Sequence, residues 1–300
     1  MRRHTGLNML RPRNWTRRTA IPLMCVVVVA VALLSIHHPT QKITGRQLRI
    51  ATWNMCDIKP WGCPNTGSNL QKVMELKRLA TVDGAQVILV QETCSSDLER
   101  ARKGLGHGWS SVLRPYVNAD KNGKRSTMAC TVGNRGTAGF GILASTALSR
   151  VSEVSSPEPT VGMQRGIICA SVAAQNLRVC NAHLTLPGSD LAHPHREYRA
   201  DELKILVKAA AGDRTVFGGD FNSTPPDPGD PGSWIWPQET YSRYRECDQK
   251  DKNSRSGRTT HKTGHKLDYL FTALPRTGCT VRNTGASDHR ALIMQIKISD

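Results

Sequence analysis

The stretch TVFGGDFN, residues 215–222, is a short apolar run that closes on an acid, Asp220, and an amide, Asn222. A run of this length and content suits a strand buried on both faces. The same form recurs along the chain. LRIATWNM (48–55) carries Asn54 at its end, AQVILVQET (85–93) carries Gln91 and Glu92, and LRVCNAHLT (177–185) carries His183. KLDYLF (266–271) contains Asp268, and Asp288 and His289 stand just before ALIM (291–294). Buried carboxylates are unfavourable without a charged partner. Six strand ends bearing acids, amides and imidazoles are therefore hard to explain as packing. Brought to one edge, they would make a cation site ringed by acid and base groups.

Helical spacing separates these runs. Leu70, Val73, Met74, Leu76 and Leu79 predict a helix over 70–81, and Leu203, Ile205, Leu206 and Ala209 one over 199–211. Ser95 or Ser96 is positioned to cap a third, through Leu98, Ala101 and Leu105. WSSVLRPY, TMACTVG, GFGILAS, LSRVSEVSS and RGIICASVA read as further strands. Residues 223–236, rich in Pro and Gly, and the polar, basic 248–266 read as loops. Many strands with few helices, mixed in order, predict sheets with helices outside them, in one domain over 48–300.

In this order, RIATWNM, VILVQET, NAHL, GGDFNSTP, KLDYLF and SDHRALI resemble the endonuclease/exonuclease/phosphatase superfamily, in its deoxyribonuclease I-like form. The resemblance spans about Leu48 to Ile298. It implies an α/β (α+β) four-layer sandwich, two facing mixed β-sheets with helices on the outside. It also implies roles. Glu92 would be the main metal carboxylate, with Asn54 supporting it through water or at the neighbouring acid. Asp288 would reach the metal or orient His289. A hard cation, Mg²⁺ with Mn²⁺ or Ca²⁺ as alternatives, matches such a donor set. Asp220 would orient or deprotonate the attacking water, and Asn222 would donate to the phosphate as negative charge builds. Asp268 would fix the tautomer of His289, which contacts the phosphate or acts as base. His183 would protonate the leaving oxygen.

Charge and targeting signals point outward from the cell interior. Lys and Arg number 41 against 24 Asp and Glu. Six of the Arg lie in residues 1–36, which hold no Asp, Glu or Lys; without them 35 basic residues face 24 acidic ones, an excess of 11. Such a domain attracts polyanions. The basic leader (1–20) precedes an apolar run (21–36) and a polar linker (37–47). That order exports the downstream domain, through either a signal anchor, which would hold it at the membrane, or a cleaved signal peptide. Arg17-Arg18 is only a weak twin-arginine signal. Cys25 lies in the apolar run, and eight further Cys come after it, an even number that suits disulfides in an exported domain. Cys169 and Cys180 fit a cross-strand bridge and Cys56 and Cys63 a small loop. No CxxC spacing supports zinc.

Three functions fit these features. Nucleic acid is the substrate favoured by the basic balance, cut by an exported, monomeric nuclease. A sphingomyelinase-like phospholipid phosphodiesterase shares the QE, GDFN and SDH elements, with WIW (234–236) as its only small apolar candidate for lipid contact. A non-catalytic binding module on the same scaffold would have no need of the complete polar set. Loop histidines His193, His195, His261 and His265 are expected at the solvated surface. Trp234 and Trp236 are expected to anchor their loop. The basic loop 248–266 is expected to border the site and touch phosphates.

Overall fold

The computed structural model describes residues 45–58, 61, 63, 66–130 and 134–299, all within one compact unit. The leader, the apolar run and residues 37–44 of the linker lie outside these residues. Among the described residues no helix is long and apolar enough to cross a membrane.

The strands are β1 (Arg46–Asn54), β2 (Val87–Cys94), β3 (Ser110–Pro115), β4 (Val117–Ala119), β5 (Arg125–Thr127), β6 (Ala138–Ala144), β7 (Leu148–Val154) and β8 (Gly162–Gln164). They continue with β9 (Gly166–Val172), β10 (Leu177–His183), β11 (Thr215–Asp220), β12 (Arg245–Glu246), β13 (Asp268–Thr272), β14 (Arg276–Arg282) and β15 (Ala291–Ile298). The helices are α1 (Asn69–Thr81), α2 (Ser95–Leu105), α3 (Arg199–Ala209) and α4 (Gln238–Arg243). One six-stranded sheet runs β14-β15-β1-β2-β6-β3, a second runs β12-β13-β11-β10-β9-β7, and a small sheet runs β5-β4-β8.

Side-chain alternation builds the layers. In β1, Leu48 and Ile50 face the inter-sheet core, while Ala51 and Trp53 face α1 and α2. In β11, Val216 faces the inter-sheet core and Phe217 the cluster formed with α3 and α4. The result is helix, sheet, sheet, helix, the four-layer sandwich expected. Two parallel pairs, β1–β2 and β10–β11, place the C-terminal ends of four strands together, and β13 runs antiparallel to β11 with Asp268 opposite Asp220. Gly219 is required where these strands close: its φ is +131°, and a Cβ there would lie 1.8 Å from the Ala182 carbonyl oxygen.

Four disulfides form: Cys56–Cys63, Cys94–Cys130, Cys169–Cys180 and Cys247–Cys279. Cys169 and Cys180 are direct cross-strand partners of β9 and β10.

Several local expectations change. β1 begins at Arg46, inside the segment read as linker. Of TMACTVG only residues 127–130 are described, and among these Ala129 makes an isolated bridge to Thr137. Neither Ser95 nor Ser96 caps α2: Cys94 takes the N-cap position, and the Ser95 hydroxyl accepts from the Thr137 N–H. β14, half exposed along its length, carries too little apolar contrast to be read as a strand.

A candidate active site at the shared sheet edge

The inward positions of alternation end at the edge. In β1 they are 48, 50, 52 and 54; in β2, 87, 89 and 91; in β10, 177, 179, 181 and 183. Asn54, Gln91, Asn181, His183, Asp220 and Asp268 therefore end up between the sheets, where apolar residues fill the deeper positions. Asn181 spans the gap. Its amide nitrogen donates to the Val90 carbonyl at 2.9 Å and the Gly141 carbonyl at 2.7 Å, and its oxygen accepts from Gln91 at 2.7 Å.

Glu92 breaks this parity. The pairing of β2 with β6 shifts between Val90 and Thr93, and Glu92 adopts φ 50°. The irregularity turns its carboxylate toward the site, as bulges do. Asn54 Nδ2 donates to Glu92 Oε1 at 3.1 Å and to Asp220 Oδ2 at 2.9 Å. Asn54 Oδ1 is taken by the Cys56 N–H at 2.9 Å. Asn54 is thus a strut between two carboxylates, its oxygen accepting from the Cys56 N–H. Asn222 and Cys56 also have left-handed backbones, at φ 48° and 49°. Asn222 closes an Asx turn, its N–H donating to Asp220 Oδ1 at 2.9 Å. One of its amide hydrogens goes to the Leu184 carbonyl, which leaves one for a substrate.

His289 sits between acids. Its Nδ1 lies 2.8 Å from Asp268 Oδ2 and its Nε2 3.8 Å from Asp220 Oδ2. Burial works against a charged ring here, but Asp268 and Asp220 outweigh it and push the pKa up to about 10. Burial raises Asp220, helped by Asp268 and opposed by His289. Burial likewise raises Glu92, against His289, Asn54 and Arg165.

His183 is different. Burial, then Arg165 and His289, push its pKa well below 6.5. The ring is neutral, and its tautomer follows from Tyr116. The Glu92 N–H donates to the Tyr116 oxygen at 3.1 Å, so the buried hydroxyl proton goes to His183 Nδ1, 2.6 Å away. The His183 proton then sits on Nε2, 3.6 Å from Asp220 Oδ2. The arrangement presents a neutral N–H donor at this position.

Asp288 does not orient His289, a task that falls to Asp268. It lies instead 3.1 Å from Lys262 and 3.5 Å from His261. Burial acts to raise its pKa, but His261, His289 and Lys262 hold it well below the usual carboxylate range. Its Oδ1 is buried without a hydrogen-bond partner. Lys72, buried beneath, ties this loop to the residue after β1 by donating to the Met55 and Ala286 carbonyls.

Sequence reasoning missed three residues. Tyr116 lies just after β3 with nothing in its pattern to mark it. Arg165 is 6% exposed, stands immediately before β9, and leaves Nε and Nη1 without hydrogen-bond partners. A cation abutting a largely apolar strand was its available signal. His261, expected at the solvated surface, packs on His289 with ring centroids 4.5 Å apart.

The basic loop is also less free than its composition suggests. Lys266 is buried against Glu246, Arg258 pairs with Asp248, and Arg255 covers the Tyr241 ring. Lys262 is the loop's cation that meets the site residues. Trp236 anchors its loop by donating to the Thr224 carbonyl, whereas Trp234 is 65% exposed.

A two-sheet sandwich with acids, amides and imidazoles gathered at one edge defines a class: hydrolases of phosphate esters. The chain belongs to the Endonuclease/Exonuclease/phosphatase family, whose model matches residues 51–289. Members hydrolyse phosphodiesters or phosphate monoesters and are typically divalent-metal dependent. Among solved structures, an endonuclease/exonuclease/phosphatase from Beutenbergia cavernae is similar at 17% identity and TM-score 0.60, over 85% of this chain and 72% of that one. The human Nocturnin catalytic domain with bound sulfate is similar at 14% identity and TM-score 0.58, over 84% and 94%. The Neisseria 3′ phosphatase NExo bound to a product DNA hairpin is similar at 15% identity and TM-score 0.52, over 83% and 99%. No curated protein matches the sequence.

Proposed function

We propose that this chain is an extracytoplasmic nuclease that hydrolyses phosphodiester bonds with a divalent cation. One observation carries the reading: His289, held charged by Asp268 and Asp220, and the Arg165 guanidinium, whose Nε and Nη1 have no hydrogen-bond partner, both act on the Glu92–Asn54–Asp220 row. That arrangement provides an anion subsite beside paired carboxylates. The excess of basic residues, four disulfides and the basic leader favour an exported domain over 48–300 that meets polyanions. Relatives of this fold solved with sulfate or with a DNA hairpin lend support.

The donor set fits a hard cation. Glu92 is a carboxylate raised by burial, Asp288 keeps an unpartnered oxygen, and every donor is oxygen. Glu92 and Asp288 would hold the ion, which supplies charge neutralisation at the phosphate. The remaining work belongs to the chain. Asp220, held by Asn54 and the Asn222 N–H, orients water and takes its proton. His289, fixed by Asp268, donates from Nε2 to a phosphate oxygen, and Arg165 donates to another. His183 donates a hydrogen bond from Nε2 to the leaving oxygen, which takes up the proton that Asp220 removed from water, and Tyr116 keeps His183 in that tautomer.

A phospholipid substrate is the second reading, favoured by Leu186, Leu191 and Trp234, exposed on the loops after β10 and β11. The full chain, incubated with plasmid DNA, RNA and choline-lipid vesicles, with Mg²⁺ or chelator, separates the two. Cleavage of polynucleotide that needs the cation and falls steeply with salt is expected. Turnover confined to vesicles would transfer the assignment to phospholipid. Binding without hydrolysis, retained in Glu92→Ala, would mean a binding module.

A further inference from the structure

The small sheet β5-β4-β8 contributes no catalytic group, yet it is rooted in the site at both ends. β4 begins one residue after Tyr116, and β8 ends one residue before Arg165. The β4–β5 hairpin leaves this root and buries almost nothing, since residues 121–127 are all exposed. A tip that adds so little core has no evident packing purpose.

Its turn is nonetheless well built. The Asp120 N–H donates to the Lys124 carbonyl and the Gly123 N–H to the Asp120 carbonyl, both at 3.0 Å. Asp120 Oδ1 accepts from the N–H groups of Asn122 at 2.8 Å and Lys124 at 2.9 Å. Gly123, at φ 78°, permits the reversal. This rigid turn presents Lys121 and Lys124 to solvent. Arg125 is tied to Glu158 at 3.4 Å, but neither lysine has a carboxylate within ion-pair distance among the described residues. Three β4 residues at ~3.3 Å each put the turn roughly 10 Å beyond Tyr116. That span equals about three nucleotide rises of ~3.4 Å along a strand.

We propose that the β4–β5 hairpin is a second polynucleotide contact, in which Lys121 and Lys124 grip backbone phosphates a few nucleotides from the scissile one. This rests on the nuclease function proposed for the site. It assigns the flanking-phosphate contact to the hairpin rather than to the basic loop 248–266, where Arg258, Lys262 and Lys266 are paired with acids and Arg255 lies on the Tyr241 ring.

The test compares the full chain with K121E/K124E on plasmid DNA and on a dinucleotide too short to reach the turn. The charge reversals should raise KM for plasmid about tenfold or more and lower the salt slope of binding by about two. Dinucleotide turnover should stay within about twofold, because two exposed side chains leave the site's own contacts intact. K121R/K124R should behave as wild type, as should K297E near the far end of β15. Wild-type cutting with an unchanged KM and salt slope in K121E/K124E overturns the hairpin contact alone. Equal losses on plasmid and dinucleotide also overturn it, since the effect would not depend on substrate length. A wild-type chain that neither cuts nor binds polynucleotide overturns both this contact and the nuclease function.

Discussion

Asn181→Leu tests whether the buried amide between the sheets holds the site together. The change keeps the γ-branched shape in a larger, apolar side chain and removes three hydrogen bonds, to the Val90 and Gly141 carbonyls and from Gln91. Three buried groups lose a partner. At roughly 1–3 kcal/mol for each unsatisfied group, discounted because a carbonyl has a second lone pair, the loss is about 3–5 kcal/mol. For a domain of this size that lowers Tm by roughly 6–20 °C. Calorimetry reads it directly. Activity should fall further than stability alone accounts for, since Val90 lies two residues before Glu92. A displacement of about 1 Å there is worth on the order of a hundredfold in kcat, measured where the variant remains folded. The double variant Asn181→Leu/Gln91→Met should recover part of the stability, because it removes a donor together with its acceptor. A single variant within about 1 kcal/mol of wild type, with unchanged kcat, would refute the role given to Asn181.

Asp268→Asn should lower kcat by roughly 10²–10⁴ and move the alkaline limb of the pH–rate profile down. The sign comes from His289, whose pKa stands raised from 6.5 to about 10. Stability from the charged ring is fully present below 6.5 and is lost as pH rises through about 10, so the stability gap between wild type and variant closes at high pH. Stability titrations showing a gap that widens with pH would contradict this. Tyr116→Phe frees His183 Nδ1 and removes the acceptor for the Glu92 N–H, and should reduce kcat about tenfold while KM changes little; an imidazole NMR tautomer unchanged from wild type would count against the assignment. Gly219→Ala places a Cβ 1.8 Å from a backbone oxygen at φ +131°, and should destabilise by about 3 kcal/mol or more, visible as a large drop in the urea midpoint.

The sequence was most readable where alternation and burial agree. Strands with unbroken apolar runs and a polar terminus, such as those ending at Asn54, His183 and Asp220, declare both their depth and their functional end. The four layers came from the resemblance and from the order of strands and helices. Residues set by irregular backbone were harder to read. The bulge that turns Glu92 inward leaves no mark in a pattern of period two. Tyr116 and His261 come from loops, and only tertiary folding brings them against His183 and His289. The basic loop misled for the opposite reason: composition counts charges but does not show that Glu246, Asp248 and Tyr241 lie beneath them.

Strand parity also explains why the polar residues can exist where they do. Every inward position below the edge is apolar or, as with Asn181 and Gln91, fully hydrogen-bonded. A one-residue slip in β11 would turn Asp220 into the aromatic cluster around Phe217 and bring Phe217's neighbours into the site. That slip is opposed because it would bury the Asp220 carboxylate among apolar rings, away from Asn54 and His289. His289 then settles between Asp268 and Asp220, where two carboxylates favour its charged form more than burial opposes it. The register that fills the core is thus the same register that assembles a cationic imidazole beside an acid. Exchange of β-strand register and loss of the site should be inseparable in this fold.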